Sequence, residues 1–294
     1  MLELQLEVDS LVAKTTLSDG VDRRDFMTVA LGTGFAAAVM PVSAQSVVKT
    51  DATGLTVGEV MLSVNGQALP VYRAQPEGKT NLPVILVISE IFGVHEHIAD
   101  VARRFAKLGY LALAPELFVR AGDPSSYGTI AELLKEVVGK TPDAQVMGDL
   151  DACVAWAGQN GGNVDKIGIT GFCWGGRITW LYSAHNAKVK AGVAWYGKLV
   201  GDKNAVTPTY PMDLAPAFKT PVLGLYGAKD DGIPVAGVEQ MKAALAKGGS
   251  QSSFVVYPNS GHAFHADYRA SYVEADAKDG WQRCVAWFKS HGVA

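Results

Sequence analysis

The stretch Gly171-Phe172-Cys173-Trp174-Gly175-Gly176 decides the fold. It reads G-x-C-x-G-G. The run Lys166-Ile167-Gly168-Ile169-Thr170 leads into it and has strand character. Arg177-Ile178-Thr179-Trp180-Leu181-Tyr182-Ser183-Ala184 follows and reads as a helix. A strand, a sharp turn carrying a nucleophile, then a helix is the context of a nucleophile elbow, here with Cys where Ser is usual. Flanking glycines leave room for close backbone approach and tolerate a strained turn. The helix N-terminus beyond favours a thiolate at the turn. A small buried Cys in a glycine-rich strand–helix turn would carry the same letters, so the rest of the chain has to decide.

Outward from the elbow, strands and helices alternate. Thr56–Val64 and Ala68–Ala74 flank Asn65-Gly66, a strong hairpin signal. Pro83–Ser89 is a continuous apolar run, the mark of a strand covered on both faces. Ile98, Val101, Ala102, Phe105 and Leu108 have helical spacing, and Gly109 stops that helix. Tyr110–Ala114 is the next strand. Ile130–Val138 and Gln145–Ala157 read as helices. Val189–Trp195, Pro221–Tyr226 and Ser252–Tyr257 read as strands, and Val235–Ala246 and Ser271–Ser290 as helices. The Pro-, Asp- and Asn-rich segment 197–219 reads as a loop at the sheet's edge. The pattern predicts an α/β fold: a mostly parallel sheet behind an N-terminal antiparallel hairpin, with helices on both faces. Residues 45–294 read as a single domain of that kind.

A cysteine nucleophile needs a base and an acid. In the hydrolases that use such an elbow they follow in the order nucleophile, acid, histidine. Gly227-Ala228-Lys229-Asp230-Asp231-Gly232 follows the strand 221–226, and Asn259-Ser260-Gly261-His262-Ala263-Phe264 follows the strand 252–257. Both sit at the carboxyl ends of parallel strands, where open sheets build their sites. Taken singly, Asp230 or Asp231 could be a solvated turn residue and His262 a surface histidine. Together, in order and each after its own strand, they predict a triad with Cys173.

The chain here resembles the dienelactone hydrolases, within the α/β-hydrolases. The resemblance runs from about Val84 to Phe288. It rests on Ser89-Glu90-Ile91-Phe92-Gly93, the elbow 171–176, Gly227-Ala228-Lys229-Asp230 and Gly261-His262-Ala263-Phe264. It implies an α/β-hydrolase fold and a carboxylic ester hydrolase. It implies a triad of Cys173, Asp230 and His262, with Asp231 the lower-ranked acid. It implies an oxyanion hole from the backbone N–H groups of Ile91 and Trp174, and a pocket tyrosine at Tyr196. It also implies that Glu90 exchanges a proton with the thiol, so that thiolate forms mainly when substrate binds. The expected substrate is a small lactone or carboxylic ester, cleaved through an acyl-thioester. Thioesterase or general carboxylesterase activity on the same site is the alternative, as is a non-catalytic binding protein of the same fold.

One departure matters. The family grips a substrate carboxylate with arginines, but 123–139 contains no arginine, and the position after the histidine loop that should carry one is Ala266. Arg120 and Arg269 are the remaining candidates, with nothing in the sequence to aim them. His95-Glu96-His97 invites a metal reading, yet imidazoles at i and i+2 on a helix diverge. Solvated residues at a helix start are the expectation, and neither metal nor cofactor is expected.

A net charge of −3 with no long basic run gives no argument for nucleic acid. Cys153, Cys173 and Cys284 are too far apart for a zinc knuckle, and Cys153 and Cys284 read as small core groups. Near the N-terminus, Asp22-Arg23-Arg24-Asp25-Phe26-Met27 precedes an Ala- and Gly-rich apolar segment, Val29–Val42, and an A-x-A-like site, Val42-Ser43-Ala44. That order predicts a twin-arginine-type signal over 1–44 and a periplasmic protein, monomeric and free of the membrane after cleavage. The protein would be cytoplasmic if the signal does not function.

Overall fold

Asn65 and Gly66 both adopt positive φ, 51° and 78°. They close β1 (Leu55–Val64) onto β2 (Gln67–Pro76), as the Asn-Gly pair predicts. The computed structural model describes residues 47–294. The signal expected over 1–44 lies outside the described residues. The hairpin joins a sheet in the order β1-β2-β4-β3-β5-β6-β7-β8. β2 pairs antiparallel with β4 (Leu111–Pro115). Beyond it β4, β3 (Leu82–Ile88), β5 (Gly162–Phe172), β6 (Val189–Trp195), β7 (Val222–Gly227) and β8 (Ser253–Tyr257) pair in parallel.

Period-two alternation in β3 explains why helices cover both faces. Ile85 and Val87 point to α1 (Glu96–Lys107), meeting Ile98, Val101 and Phe105, and to Phe288 of the C-terminal helix. Val84, Leu86 and Ile88 point the other way, to Val146, Leu150 and Cys153 of α3 (Asp143–Gln159) and Ile178 of α4 (Trp174–His185). The four aliphatic residues Val84, Ile85, Leu86 and Val87 are fully buried. Each such side chain contributes roughly 1.5–3 kcal/mol of hydrophobic stabilisation. Cys153 and Cys284 are buried free thiols in these two cores, as expected.

The remaining helices are α2 (Ile130–Glu136), the four-residue α5 (Pro211–Leu214), α6 (Val235–Lys247) and α7 (Glu274–Ser290). Thr129 caps α2, its side chain accepting from Glu132 N. The segment 197–219 departs from expectation. β6 is a central strand rather than an edge. The segment folds back over the starts of α3 and α4: Val206 O accepts from Asp143 N, and Thr209 O accepts from Arg177 Nη2. Among the described residues no helix is long and apolar enough to cross a membrane.

Candidate active site

β5 ends at Phe172 and α4 begins at Trp174, so Cys173 alone makes the turn. Its φ is +54° and its ψ −114°, a strained conformation for a residue with a side chain. The backbone is held by Cys173 N–H donating to Trp195 O at 3.0 Å. The three glycines are required by contact. A Cβ on Gly171 would lie 2.2 Å from Gly175 O, on Gly175 2.4 Å from Ile88 O, and on Gly176 2.5 Å from Trp195 O. These contacts seat the start of α4 against the ends of β3 and β6. They fix the half-exposed thiol at the carboxyl edge of the sheet.

Two later loops converge on it. Asp230 follows β7 and His262 follows β8, and the loops are tied together by Lys229 N–H donating to Ser260 O at 2.9 Å. Asp230 Oδ2 lies 2.7 Å from His262 Nδ1, and Asp230 Oδ1 accepts from Gly232 N. Asp230 is buried while Asp231 is exposed, so the carboxylate on the imidazole is Asp230. With Nδ1 on the carboxylate, Nε2 is left for the sulfur. Burial opposes protonation of His262. The charge of Cys173, with hydrogen bonds to Asp230 and Cys173, outweighs it and raises the imidazole pKa to about 10. This arrangement favours the protonated imidazolium at His262.

The backbone amides of Ile91 and Trp174 donate to no acceptor among the described residues. Trp174 is the first residue of α4, where an amide has no intrahelical partner. Tyr196 is fully buried, with φ +38°, and its ring meets that of His262 edge-on at 5.1 Å. Its hydroxyl has no hydrogen-bond partner among the described residues.

Glu90 is fully buried, and its hydrogen bonds do not go to the thiol. Oε2 lies 3.1 Å from His95 Nε2, and Oε1 accepts from Tyr268 OH at 3.4 Å. Burial penalises its charge. The hydrogen bond and charge of His95, then His97 and Arg269, overcome the penalty and hold the carboxyl at about 2.

The expectation for His95 and His97 is overturned. Both are buried, not solvated. His97 Nδ1 lies 3.0 Å from Asp267 Oδ1, and Arg104 Nη2 donates to Asp267 Oδ2 at 3.0 Å. The signal was present in Glu90 itself: a carboxylate at the end of a buried strand needs partners, and polar residues five positions on could supply them. Among the described residues no group of His, Cys, Asp and Glu is arranged to hold a metal. Asp267 and Tyr268 went unread in the sequence; His265, which with His262 lacks a third metal ligand at obvious spacing, is buried and stacks on Phe172.

The two spare arginines separate cleanly. Arg120 makes a two-pronged pair with the buried Asp149, at 2.7 and 2.9 Å. Arg269 stands at the site. Its guanidinium lies over the Phe92 ring, 5.3 Å from the centroid. Burial works against its charge, and the surrounding Tyr268, Glu90, Cys173 and Tyr196 favour it.

The parallel sheet, the elbow and the two loops that meet above it define an α/β-hydrolase. The chain belongs to the dienelactone hydrolase family, whose sequence profile matches residues 69–292. A Methylorubrum extorquens protein named "Putative carboxymethylenebutenolidase" is 56% identical over the whole of both chains. An Escherichia coli K12 protein of the same name is 51% identical, covering 88% of this chain and 96% of its own. A crystal structure titled as a "Putative Dienelactone Hydrolase" from Klebsiella pneumoniae superposes with a TM-score of 0.79 at 55% identity. It covers 80% of this chain and 98% of the other. The protein is therefore a hydrolase of this family.

Proposed function

We propose that this hydrolase opens a lactone or cleaves a small carboxylic ester with Cys173 as nucleophile, His262 as acid and base, and Asp230 as the group orienting His262. The observation that carries the reading is the 2.7 Å contact between Asp230 and His262 beside a cysteine at φ +54°. The Cys173 sulfur attacks the carbonyl carbon, forming a C–S bond and a tetrahedral oxyanion. The Ile91 and Trp174 amides receive that oxygen. Losing one such donor typically costs about 3–4 kcal/mol of transition-state stabilisation. Collapse breaks the C–O bond, and His262 gives its proton to the leaving oxygen. Water, deprotonated by His262, then attacks the acyl-thioester, and the C–S bond breaks to release the acid and restore the thiolate.

Arg269 is the group in this reading that receives a carboxylate on the substrate. Its guanidinium forms no ion pair among the described residues, whereas Arg120 is held by Asp149. The family relatives named for a carboxylated butenolide support that substrate class. Export by the twin-arginine route to the periplasm rests on the sequence of residues 22–44.

The test is turnover of p-nitrophenyl acetate and of a carboxylated lactone, with iodoacetamide titration in parallel. One alkylated Cys173 per chain should abolish both activities, and Cys173→Ser should lose most activity while keeping the fold. Full turnover by the alkylated protein would remove Cys173 from the chemistry. Faster turnover of acyl-thioesters than of either oxygen ester would favour a thioesterase.

A further inference from the structure

We propose that the segment Val48–Thr50 is a specificity strap for this active site: it fixes Asp267, and with it the turn carrying Arg269, and so sets how tightly the site holds a substrate carboxylate. This role rests on the proposed reading of Arg269 and deepens it.

Residues 47–52 belong to no helix or strand. Chain ahead of a first strand is usually poorly ordered unless something ties it down. Here buried carboxylates tie it. Val48 N–H donates to Asp267 Oδ2 at 3.0 Å, and Thr50 N–H donates to Asp100 Oδ1. Amides two residues apart point the same way in an extended chain. Thr50 O accepts from Arg103 Nε at 2.8 Å, and Thr53 O accepts from Lys107 Nζ at 2.8 Å. The strap therefore crosses α1 with its main chain bonded and the Val48 side chain 42% exposed. What the fold uses at this position is the amide, not the side chain.

Asp100 and Asp267 are both buried, and Arg104 joins them, with Nε on Asp100 Oδ2 and Nη2 on Asp267 Oδ2. Asp267 Oδ2 thus takes the strap amide as well as Arg104, while Oδ1 faces His97 Nδ1. Charge-assisted bonds of this kind are the strong ones, and they hold the backbone that bears the carboxylate. Asp267 lies inside the turn 266–269, closed by Arg269 N–H donating to Ala266 O at 2.9 Å. Arg269 O accepts from Tyr272 N at 3.1 Å, and the guanidinium lies over Phe92. His262 is anchored separately, by Asp230 and by Lys229 N–H on Ser260 O. Loosening the strap should free the turn 266–269 and leave the Asp230–His262 contact in place. A receptor held in position only part of the time binds more weakly by that fraction. A neutral ester offers Arg269 no charge to hold and escapes the loss.

The experiment is steady-state kinetics of the full chain on carboxymethylenebutenolide and on neutral p-nitrophenyl acetate. Val48→Pro removes the amide donor, and Val48→Ala keeps it. Val48→Pro should raise KM for the carboxylated lactone about fivefold, as for a receptor held in place about a fifth of the time. Its kcat on that lactone, and both constants for p-nitrophenyl acetate, should stay within about twofold of wild type. Val48→Ala should match wild type on both substrates. Thr50→Pro removes the next amide of the strap and should act in the same direction, which covers a Val48→Pro chain that does not fold. An unchanged KM in both proline variants, an equal change on both substrates, or failure of both variants to fold overturns the inference. Arg269→Met is measured in parallel. If it raises KM for the carboxylated lactone while the proline variants do not, the strap fails and the reading of Arg269 stands. If Arg269→Met shifts both substrates equally, the reading of Arg269 fails and the role of the strap falls with it.

Discussion

Arg177 and Asp143 meet as two parallel hydrogen bonds of 2.7 Å, Nη1 to Oδ1 and Nη2 to Oδ2, joining the helix that starts after Cys173 to the first residue of α3. Both residues are buried, and the guanidinium also donates to Thr209 O and lies over the Tyr210 ring. The pair therefore links the elbow helix, α3 and segment 197–219. Removing one partner strands the other charge, which typically costs about 3–5 kcal/mol. Asp143→Ala should lower stability by that amount in urea unfolding. Arg177→Met with Asp143→Leu should recover much of it, because an apolar pair of similar volume leaves no charge behind.

Gly175 sits where the elbow helix touches the end of β3. Any Cβ there would be 2.4 Å from Ile88 O and 2.5 Å from Ser89 O, both rigid backbone atoms. Gly175→Ala should displace α4 from the end of β3 and the turn bearing Ile91, and separate the two amides of the proposed oxyanion hole. We expect kcat to fall by at least about a hundredfold, the loss seen when one oxyanion donor is removed. Thiol labelling should survive in whatever fraction folds. Wild-type turnover in Gly175→Ala would show that the amides are not needed together.

Asp230 is the only carboxylate bonded to His262 among the described residues. Asp230→Asn keeps the shape but removes the charge that favours the imidazolium. The His262 pKa should fall from its raised value, and kcat/KM should drop by roughly a hundredfold or more. Asp231→Asn, at an exposed position, should leave kcat/KM within about twofold, since surface changes away from special contacts have little effect. Equal losses in the two variants would return Asp231 to candidacy as the acid.

The elbow, the hairpin and the order of strands were legible because each is written in local letters. Gly-x-Cys-x-Gly-Gly, Asn65-Gly66 and the apolar run of β3 each constrain a few consecutive residues. Strand ends shifted where pairing, not composition, sets them: β5 runs from Gly162 because Leu82 and Pro83 pair with Gly162 and Asn163 before a bulge. The Glu90 cluster could not be read this way. His95 and Glu96 share one polar pattern, but only the fold shows that His95 meets a buried strand end while Glu96 meets Arg103. Arg269 was visible as a candidate carboxylate receptor, but nothing in the sequence aimed it at the site. Its place over Phe92 depends on how the loop after β8 returns across the sheet.

Arg269 should discriminate between substrates. Its charge is close to Cys173 and Glu90 and is not cancelled by an ion pair among the described residues. Arg269→Met should raise KM for a lactone bearing a carboxylate by about tenfold or more, since a charge-assisted hydrogen bond contributes about 1.5–3 kcal/mol. Turnover of neutral p-nitrophenyl acetate should change much less. Equal effects on both substrates would assign Arg269 to the support of Glu90 rather than to substrate recognition.

Acid should expose the clustered carboxylates. Glu90 and Asp267 are both held at about 2 in the folded protein, against ordinary values of 4.5 and 3.8. For each, burial opposes the charge and is outweighed, at Glu90 chiefly by His95 and at Asp267 by His97 and Arg104. A depressed folded pKa stabilises above the unfolded value and loses that contribution as pH falls through the folded one. Stability should therefore hold above about pH 5 and decline between about pH 4.5 and 2. In the middle of that window each group contributes up to about 1.4 kcal/mol per pH unit. Urea midpoints at a series of pH values give the slope directly. Asp267→Asn should be less stable at neutral pH, because His97 and Arg104 lose the charge they bond and one of the two acceptor oxygens becomes a donor, yet its slope below pH 4 should be shallower than that of the wild type. A slope unchanged by the substitution would mean that Asp267 is not held ionised by these partners, and that the loop bearing Tyr268 and Arg269 is fixed by packing alone.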